Sequence, residues 1–452
     1  MFYGILKIIT DISLKVFFRK IEVQGEKLIP EGAPLIIAAN HPSTMMDAIV
    51  IGSAIKKRLH YIARGNLFTT TFRRWLFKNL FVIPIYRKSE SSEARERNKE
   101  VFRKCFDVLA GKGSILIFPE GVSQVERRIQ KIKTGTARIA LGAEEANNFK
   151  LGVVVVPVGL NYSDPEEFRS DLFISFAKSI DVSEFLEMYM DSEEAAVKAL
   201  TDRIKESLEQ HTIDIENEAL DKLVSDIETI YKDRLTVEVD LSPEQEGKDF
   251  RLTKAITDSV HYFNHKEPER VEALRQKMED YMQLLLSLNL KDDLFKKGSF
   301  EKIVSLRSLL TVVYSLLGMP IHIYGLINNY LPYKLPGFIA RRVTNRIEYR
   351  ASIKLLMGIV TFSTFYSAQI WAVATISNVE WVIAYGLMLP ASGFFVLYYW
   401  NRLKRLRGNL LFISLFYRRR VLISRLLRQR SDIVGILEVA TEDYLRQQQV
   451  SK

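Results

Sequence analysis

The sequence predicts an α/β fold: a layered domain of strands and helices, a charged helical appendage, and a C-terminal transmembrane helical hairpin. Three observations carry this. Short apolar runs alternate with helical stretches across residues 20–180. Charges become dense and glycine rare across residues 181–302. Near the C-terminal end, two stretches of about 20 residues hold no charged side chain, which is the length that crosses a bilayer.

The strands come first. Pro34 to Ala39, Leu80 to Tyr86, Ser114 to Phe118 and Val153 to Val158 are continuous apolar runs, the pattern of strands buried on both faces. Helical stretches such as Ala94 to Ala110 separate them, so residues 20–180 read as one layered α/β domain. Residues 1–19 read as an amphipathic interfacial helix. Lys7, Asp11, Lys15 and Arg19 recur every four residues and form one stripe, while isoleucine, leucine, valine and phenylalanine cover the rest. Asp191 to Glu209 and Glu267 to Leu290 give the appendage its helical periodicity.

Residues 303–340 are apolar but interrupted by Gly318, Pro320, Asn328, Asn329 and Pro332, which predicts a broken or re-entrant segment. Residues 341–407 make the hairpin, with spans at about 355–376 and 381–400. Arg341, Arg342, Arg346 and Arg350 precede it; Arg402, Lys404, Arg405 and Arg407 follow it. Basic flanks on both sides place both ends, the active domain and the basic helical tail 408–452 on the cytoplasmic face of a membrane.

Composition narrows the chemistry. The chain has one cysteine, Cys105, so an internal disulfide is excluded, and its six histidines show no metal-ligand spacing. No metal or redox cofactor is expected. The net charge of +10 calls for an anionic partner. Nucleic acid is not that partner, because no recognition motif accompanies the charge; a phosphorylated substrate and anionic lipid both fit.

The sharpest local feature is Asn40-His41-Pro42-Ser43-Thr44-Met45-Met46-Asp47, between a strand and an apolar helix. Pro42 suits a first helical turn and Ser43 an N-cap. His41 then lies in the turn at the sheet's edge and Asp47 about one turn into the helix. A carboxylate on one imidazole nitrogen frees the other as a general base. Backbone N–H groups near residues 43–44 are expected to stabilise an oxyanion. Between Asp47 and Glu90 there is no acid, while nine basic residues occur, among them Arg73, Arg74, Lys78 and Arg87. Arg87 follows a strand end, where a guanidinium binds phosphate; the other three suit lipid headgroups. Phe118-Pro119-Glu120-Gly121 forces a turn after a strand, and Lys133 and Gly135 precede a helix start that suits an anion.

These pieces, with Val153 to Tyr162, occur in one order within residues 20–180. The order resembles the four blocks of the glycerol-3-phosphate and lysophosphatidic acid acyltransferase superfamily, the PlsC-like enzymes. The gap of five residues between His41 and Asp47, where four is usual, is similar to the glycerol-3-phosphate/dihydroxyacetone-phosphate branch of fungi and related bacterial proteins. The resemblance implies a layered acyltransferase domain in which His41 is the base and Asp47 its orienting partner. It implies that Arg87, Glu120, Gly121 and Lys133 bind substrate and that Pro157 shapes the site. Ser123 stands where the third block usually has arginine, which leaves Arg127, Arg128 or Lys133 for phosphate and leaves the acceptor open.

The implied reaction moves a fatty acyl group from acyl-CoA or acyl-acyl carrier protein to a phosphorylated glycerol acceptor. No Gly-x-Ser-x-Gly elbow is present, so direct transfer is expected rather than an acyl-enzyme. The alternative is a non-catalytic lipid-binding or membrane-shaping protein on the same scaffold.

Overall fold

The computed structural model describes residues 2–86, 94–238, 246–296 and 306–450. The chain divides into two compact units. The first comprises Met1–Ile215, Glu244–Phe250 and Ala340–Leu355; the second comprises Glu216–Pro243, Arg251–Ile339 and Leu356–Lys452.

The first unit is built on an eight-stranded sheet, confirming the α/β class. Its strands are β1 (Lys20–Gln24), β2 (Leu35–Ala39), β3 (Leu59–Arg64), β4 (Val82–Ile85), β5 (Ser114–Ile117), β6 (Val154–Tyr162), β7 (Asp171–Phe176) and β8 (Ile180–Asp181). The order is β1-β7-β6-β2-β5-β3-β4, with β8 on β6. Neighbours run parallel except where β7 and β8 meet β6. All five residues of β2 are buried, because it lies mid-sheet with both faces covered.

Alternation along β2 sorts the core into two layers. Ile36 and Ala38 pack with helices α4 (Ala94–Ala110), α5 (Gly135–Ala146) and α6 (Glu193–His211). Leu35, Ile37 and Ala39 pack with Leu14 and Phe17 of α1 (Phe2–Phe17) and Met46, Val50 and Ile51 of α2 (Met45–Ala54). Part of the charged stripe turns inward, at Lys7 and Asp11, while Lys15 and Arg19 stay exposed. Lys7 Nζ donates to the Ile55 carbonyl (2.8 Å), and Ser53 donates to Asp11 (2.6 Å). Ile5, Ile8, Ile9 and Ile12 are left exposed, the reverse of an ordinary surface helix. On α3 (Thr71–Asn79), Phe72 and Trp75 are exposed beside Arg73, Arg74 and Lys78.

Four strands escaped the sequence reading, the two-residue β8 among them. Lys-Ile-Glu-Val-Gln (β1), Leu-His-Tyr-Ile-Ala-Arg (β3) and Asp-Leu-Phe-Ile-Ser-Phe (β7) carry polar residues because they are half-buried or run near the sheet's edge.

In the second unit, Arg430 forms a bidentate pair with Asp292 (2.8 and 3.1 Å) and donates to the Ile230 carbonyl (3.1 Å). Tyr281 also donates to Asp292 (2.8 Å), so this buried carboxylate is fully engaged. Among the described residues, two helices, Ile347–Ala374 and Val379–Arg418, are long and apolar enough to cross a membrane. Thr311–Leu317 and Met319–Val343 meet at a 54° bend and would make a third span if taken as one. The break falls at Gly318, while Pro332 and Pro336 lie inside the second helix. Polar side chains tie the apolar helices together. Tyr385 sits between Asn328 (2.8 Å) and Gln369 (3.0 Å), and Asn329 bonds Tyr366 (2.5 Å) and Ser392 (3.2 Å). Such bonds hold helices where water is absent.

Removing one member of the Asp292–Arg430 pair strands a buried charge. Arg430→Met should destabilise the second unit by about 3–5 kcal/mol, read as a lowered thermal midpoint. Replacing both members with apolar residues should cost less; an equal loss would mean that packing, not the stranded carboxylate, sets the cost.

Candidate active site

β2 ends at Ala39, and the chain turns at once into the segment that carries His41. Asn40 fixes that turn to the sheet. Its amide donates to the Leu160 carbonyl (3.0 Å) and accepts from the Leu160 N–H (2.7 Å), so its side chain mimics a strand partner for β6. His41 therefore leaves the sheet at a defined point, before α2 begins.

Asp47, in the first turn of α2, has no exposed surface. Oδ2 lies 2.9 Å from His41 Nδ1 and accepts the Ser43 N–H (2.7 Å). Oδ1 accepts the Tyr162 hydroxyl (2.7 Å). Burial, helped by the nearby carboxylate, raises the Tyr162 pKa well above its ordinary value, so the phenol remains a donor. With Asp47 as acceptor, His41 carries its proton on Nδ1, and Nε2 keeps a lone pair. The imidazole stacks on Phe118 at 3.9 Å between centroids and 14° between planes. Its side chain retains 18% exposure, enough for a reactant to reach it.

Glu120 sits beneath this pair. One oxygen accepts the His41 N–H (3.0 Å), the other the Gln130 N–H (3.3 Å). Burial pushes its pKa up to about 7 against the pull of those two donors. Gly121 adopts φ 63°, and its N–H closes a turn onto the Phe118 carbonyl (3.0 Å). Lys133 donates its backbone N–H to Pro119 (2.9 Å), and its side chain lies across Gly121, where a Cβ would overlap it. The positive φ favours glycine here, and a Cβ would also make the Lys133 side chain move aside. Arg127 is half-buried and Arg128 exposed. Pro157 lies within β6, level with Ala38 of β2. Arg87 lies outside the described residues.

Two expectations need correction. Ser43 is not the N-cap. Helix α2 starts at Met45, and Thr44 precedes it with φ 43° and ψ −119°. Those angles, with the Met46 N–H on the Ser43 carbonyl (3.0 Å), describe a type II′ turn whose first central position ordinarily takes glycine. A β-branched residue there stores roughly 1–3 kcal/mol of strain. Nor are the amides at 43 and 44 open for an oxyanion. Ser43 N–H is bound to Asp47, and Thr44 N–H to Ser123 Oγ (3.0 Å).

Residues 20–161 match the family model described as Acyltransferase. They form an acyltransferase domain. Glycerol-3-phosphate O-acyltransferase 2 of Saccharomyces cerevisiae is 30% identical over 221 residues, 49% of this chain and 28% of that protein. Glycerol-3-phosphate O-acyltransferase 1 of the same yeast is 28% identical over 228 residues, 49% of this chain and 29% of its own length. This chain therefore spans under a third of either yeast relative. Among solved structures, the 1-acyl-sn-glycerophosphate acyltransferase PlsC of Thermotoga maritima aligns at 20% identity and TM-score 0.32, over 44% of this chain and 78% of that one. The kinship with the glycerolipid acyltransferases is distant.

Asn40, Phe118 and Tyr162 were absent from the roles read off the sequence, although all three fall within motifs that it showed. Each is an ordinary residue until folding brings it to His41 or Asp47.

The raised Glu120 pKa has a definite consequence for the acyltransferase domain. A carboxyl whose folded pKa lies above its unfolded value near 4.5 contributes stability that is complete below pH 4.5 and lost as pH rises through about 7. Stability should therefore fall by roughly 3 kcal/mol across that window, and Glu120→Gln should remove the slope. Denaturation midpoints measured from pH 4.5 to 8 test this; parallel curves for both proteins would exclude it.

Proposed function

We propose that this protein transfers a fatty acyl chain from acyl-CoA or acyl-acyl carrier protein to a hydroxyl of glycerol 3-phosphate or 1-acylglycerol 3-phosphate, at the cytoplasmic face of a membrane. The observation that carries the proposal is the 2.9 Å contact between His41 Nδ1 and the buried Asp47, within an acyltransferase domain. The yeast relatives support glycerol 3-phosphate as acceptor by what they are named for.

The acceptor hydroxyl approaches His41 Nε2. As its oxygen attacks the thioester carbonyl carbon, its proton passes to Nε2. Asp47, held by Tyr162 and Ser43, stabilises the imidazolium that forms. Phe118 presents its ring face to the same cation. The tetrahedral intermediate then collapses, the C–S bond breaks, and the departing sulfur takes the proton back from His41. The new ester and the free thiol balance the step, with no metal or redox cofactor required.

Arg87 and Lys133 are assigned to the acceptor's phosphate, Arg87 as the charge that follows a strand in the basic segment and Lys133 as the charge before the helix Gly135–Ala146. In this reading Glu120 and Gly121 act on the backbone that carries His41. A protein that merely adheres to lipid has no use for a buried carboxylate aligned on a histidine, so the non-catalytic alternative is the weaker account.

His41→Ala should reduce acyl transfer by roughly 10²–10⁴-fold while leaving membrane extraction unchanged and the protein folded, with a lowered melting midpoint because Asp47 loses one of its donors. Wild-type turnover by that variant would end the proposal. Arg87→Ala should chiefly raise KM for the phosphorylated acceptor; an unaltered KM would remove Arg87 from the phosphate site.

A further inference from the structure

The strained turn at Thr44 is held from outside. Its N–H donates to Ser123 Oγ (3.0 Å), which lies after the Glu120–Gly121 turn. Its hydroxyl donates to the Glu348 carbonyl (2.9 Å). The Met46 N–H, shared with Ser43, also points at Ser352 Oγ (2.9 Å), which stands 3.5 Å from the Thr44 hydroxyl. Glu348 and Ser352 belong to the first two turns of the helix Ile347–Ala374, and both fall within the first unit. Neighbouring contacts secure that seat. Arg350 pairs with Glu166 (3.2 Å), Lys354 Nζ donates to the Glu166 carbonyl (2.8 Å), and Ser43 Oγ reaches the Pro165 carbonyl (3.4 Å).

We propose that Ser352 and Ser123 are positioning residues for the His41–Asp47 pair, acting by clamping Thr44 into its II′ turn from two sides. The proposal rests on the acyl-transfer reading of that pair.

The turn matters because of what flanks it. Ser43, one residue before, gives its N–H to Asp47, three residues after. Only a chain that doubles back at Thr44 brings that amide onto that carboxylate. A threonine left to itself leaves this conformation, since its branched side chain prefers negative φ. Relaxation would move Ser43 off Asp47 Oδ2, the same oxygen that faces His41 Nδ1. Such strain persists only where surrounding contacts over-determine it. A serine at a helix start often caps and does nothing more. Ser352 differs because it reaches α2 from 306 residues away and meets the turn next to the general base.

The test is a double-mutant cycle on the purified full chain in lipid nanodiscs, following thiol release from acyl-CoA with whichever phosphorylated acceptor the wild type uses. Ser352→Ala should lower kcat about tenfold or more, with KM within about twofold, because misplacement by an ångström acts on the chemical step. Glycine adopts the turn without support, so in a Thr44→Gly background the same substitution should cost less than about threefold. Ser123→Ala, on the less buried side of the turn, should follow the same pattern. Wild-type kcat in both serine variants would overturn the proposal. So would equal losses in both backgrounds, the signature of a general structural role. His41→Ala runs beside them. An active His41→Ala refutes the acyl-transfer reading; an inactive one beside unaffected serine variants refutes the clamp alone.

Discussion

A carboxylate withdrawn from water must recover its lost hydration from fixed donors, and Asp47 recovers it from three. Each donor comes from a different part of the fold. Tyr162 stands at the end of β6, Ser43 lies inside the tight turn, and His41 follows β2. The order of the sheet makes this possible, because β2 and β6 are parallel neighbours whose ends lie together. Asn40 then pins the β2 end to Leu160, two residues before Tyr162. The same contacts that let Asp47 be buried also orient the imidazole, so stability and chemistry draw on one set of bonds. Losing any donor leaves a buried charge short of partners, which is costly in a way that losing a surface pair is not.

Much of this was legible in the sequence, for a definite reason. Leu35 to Ala39 and Val154 to Val158 are buried on both faces, so burial wrote them as unbroken apolar runs. β1, β3 and β7 interrupt their apolar residues with polar ones, so no unbroken run marks them, although five of the six residues of β7 are buried. His41 and Asp47 could be named because chemistry restricts which residues do proton transfer. Tyr162, Asn40 and Phe118 could not, since nothing in a tyrosine, an asparagine or a phenylalanine says what it will touch. Thr44 is the clearest case of hidden information. Its backbone conformation belongs to glycine, and threonine gives no sign of it. Ser352 is invisible for another reason, since its partner lies 306 residues away.

The two departures from the pattern that the sequence resembles are joined in space. One is the fifth residue between His41 and Asp47; the other is Ser123 in place of arginine. Ser123 Oγ accepts the N–H of Thr44, which sits within the lengthened gap. A longer loop needs its slack taken up, and the II′ turn at Thr44 takes it up by doubling the chain back. An arginine at position 123 offers no acceptor for that amide. The two departures therefore meet in one hydrogen bond, between the lengthened first block and position 123.

The same turn is tied to the start of an apolar helix. Ser352 lies three residues before Leu355, where the uncharged run begins. At 1.5 Å per residue, those three residues span only about 4.5 Å of helix axis. The contact that holds the catalytic turn is thus made almost level with the point where the helix becomes apolar throughout. Arg350, just before Ser352, and Lys354, just after it, are both paired with Glu166, so charge at that level is tied down within the first unit. A turn fastened to the polar start of an otherwise apolar helix is tied to that apolar run through the helix backbone itself.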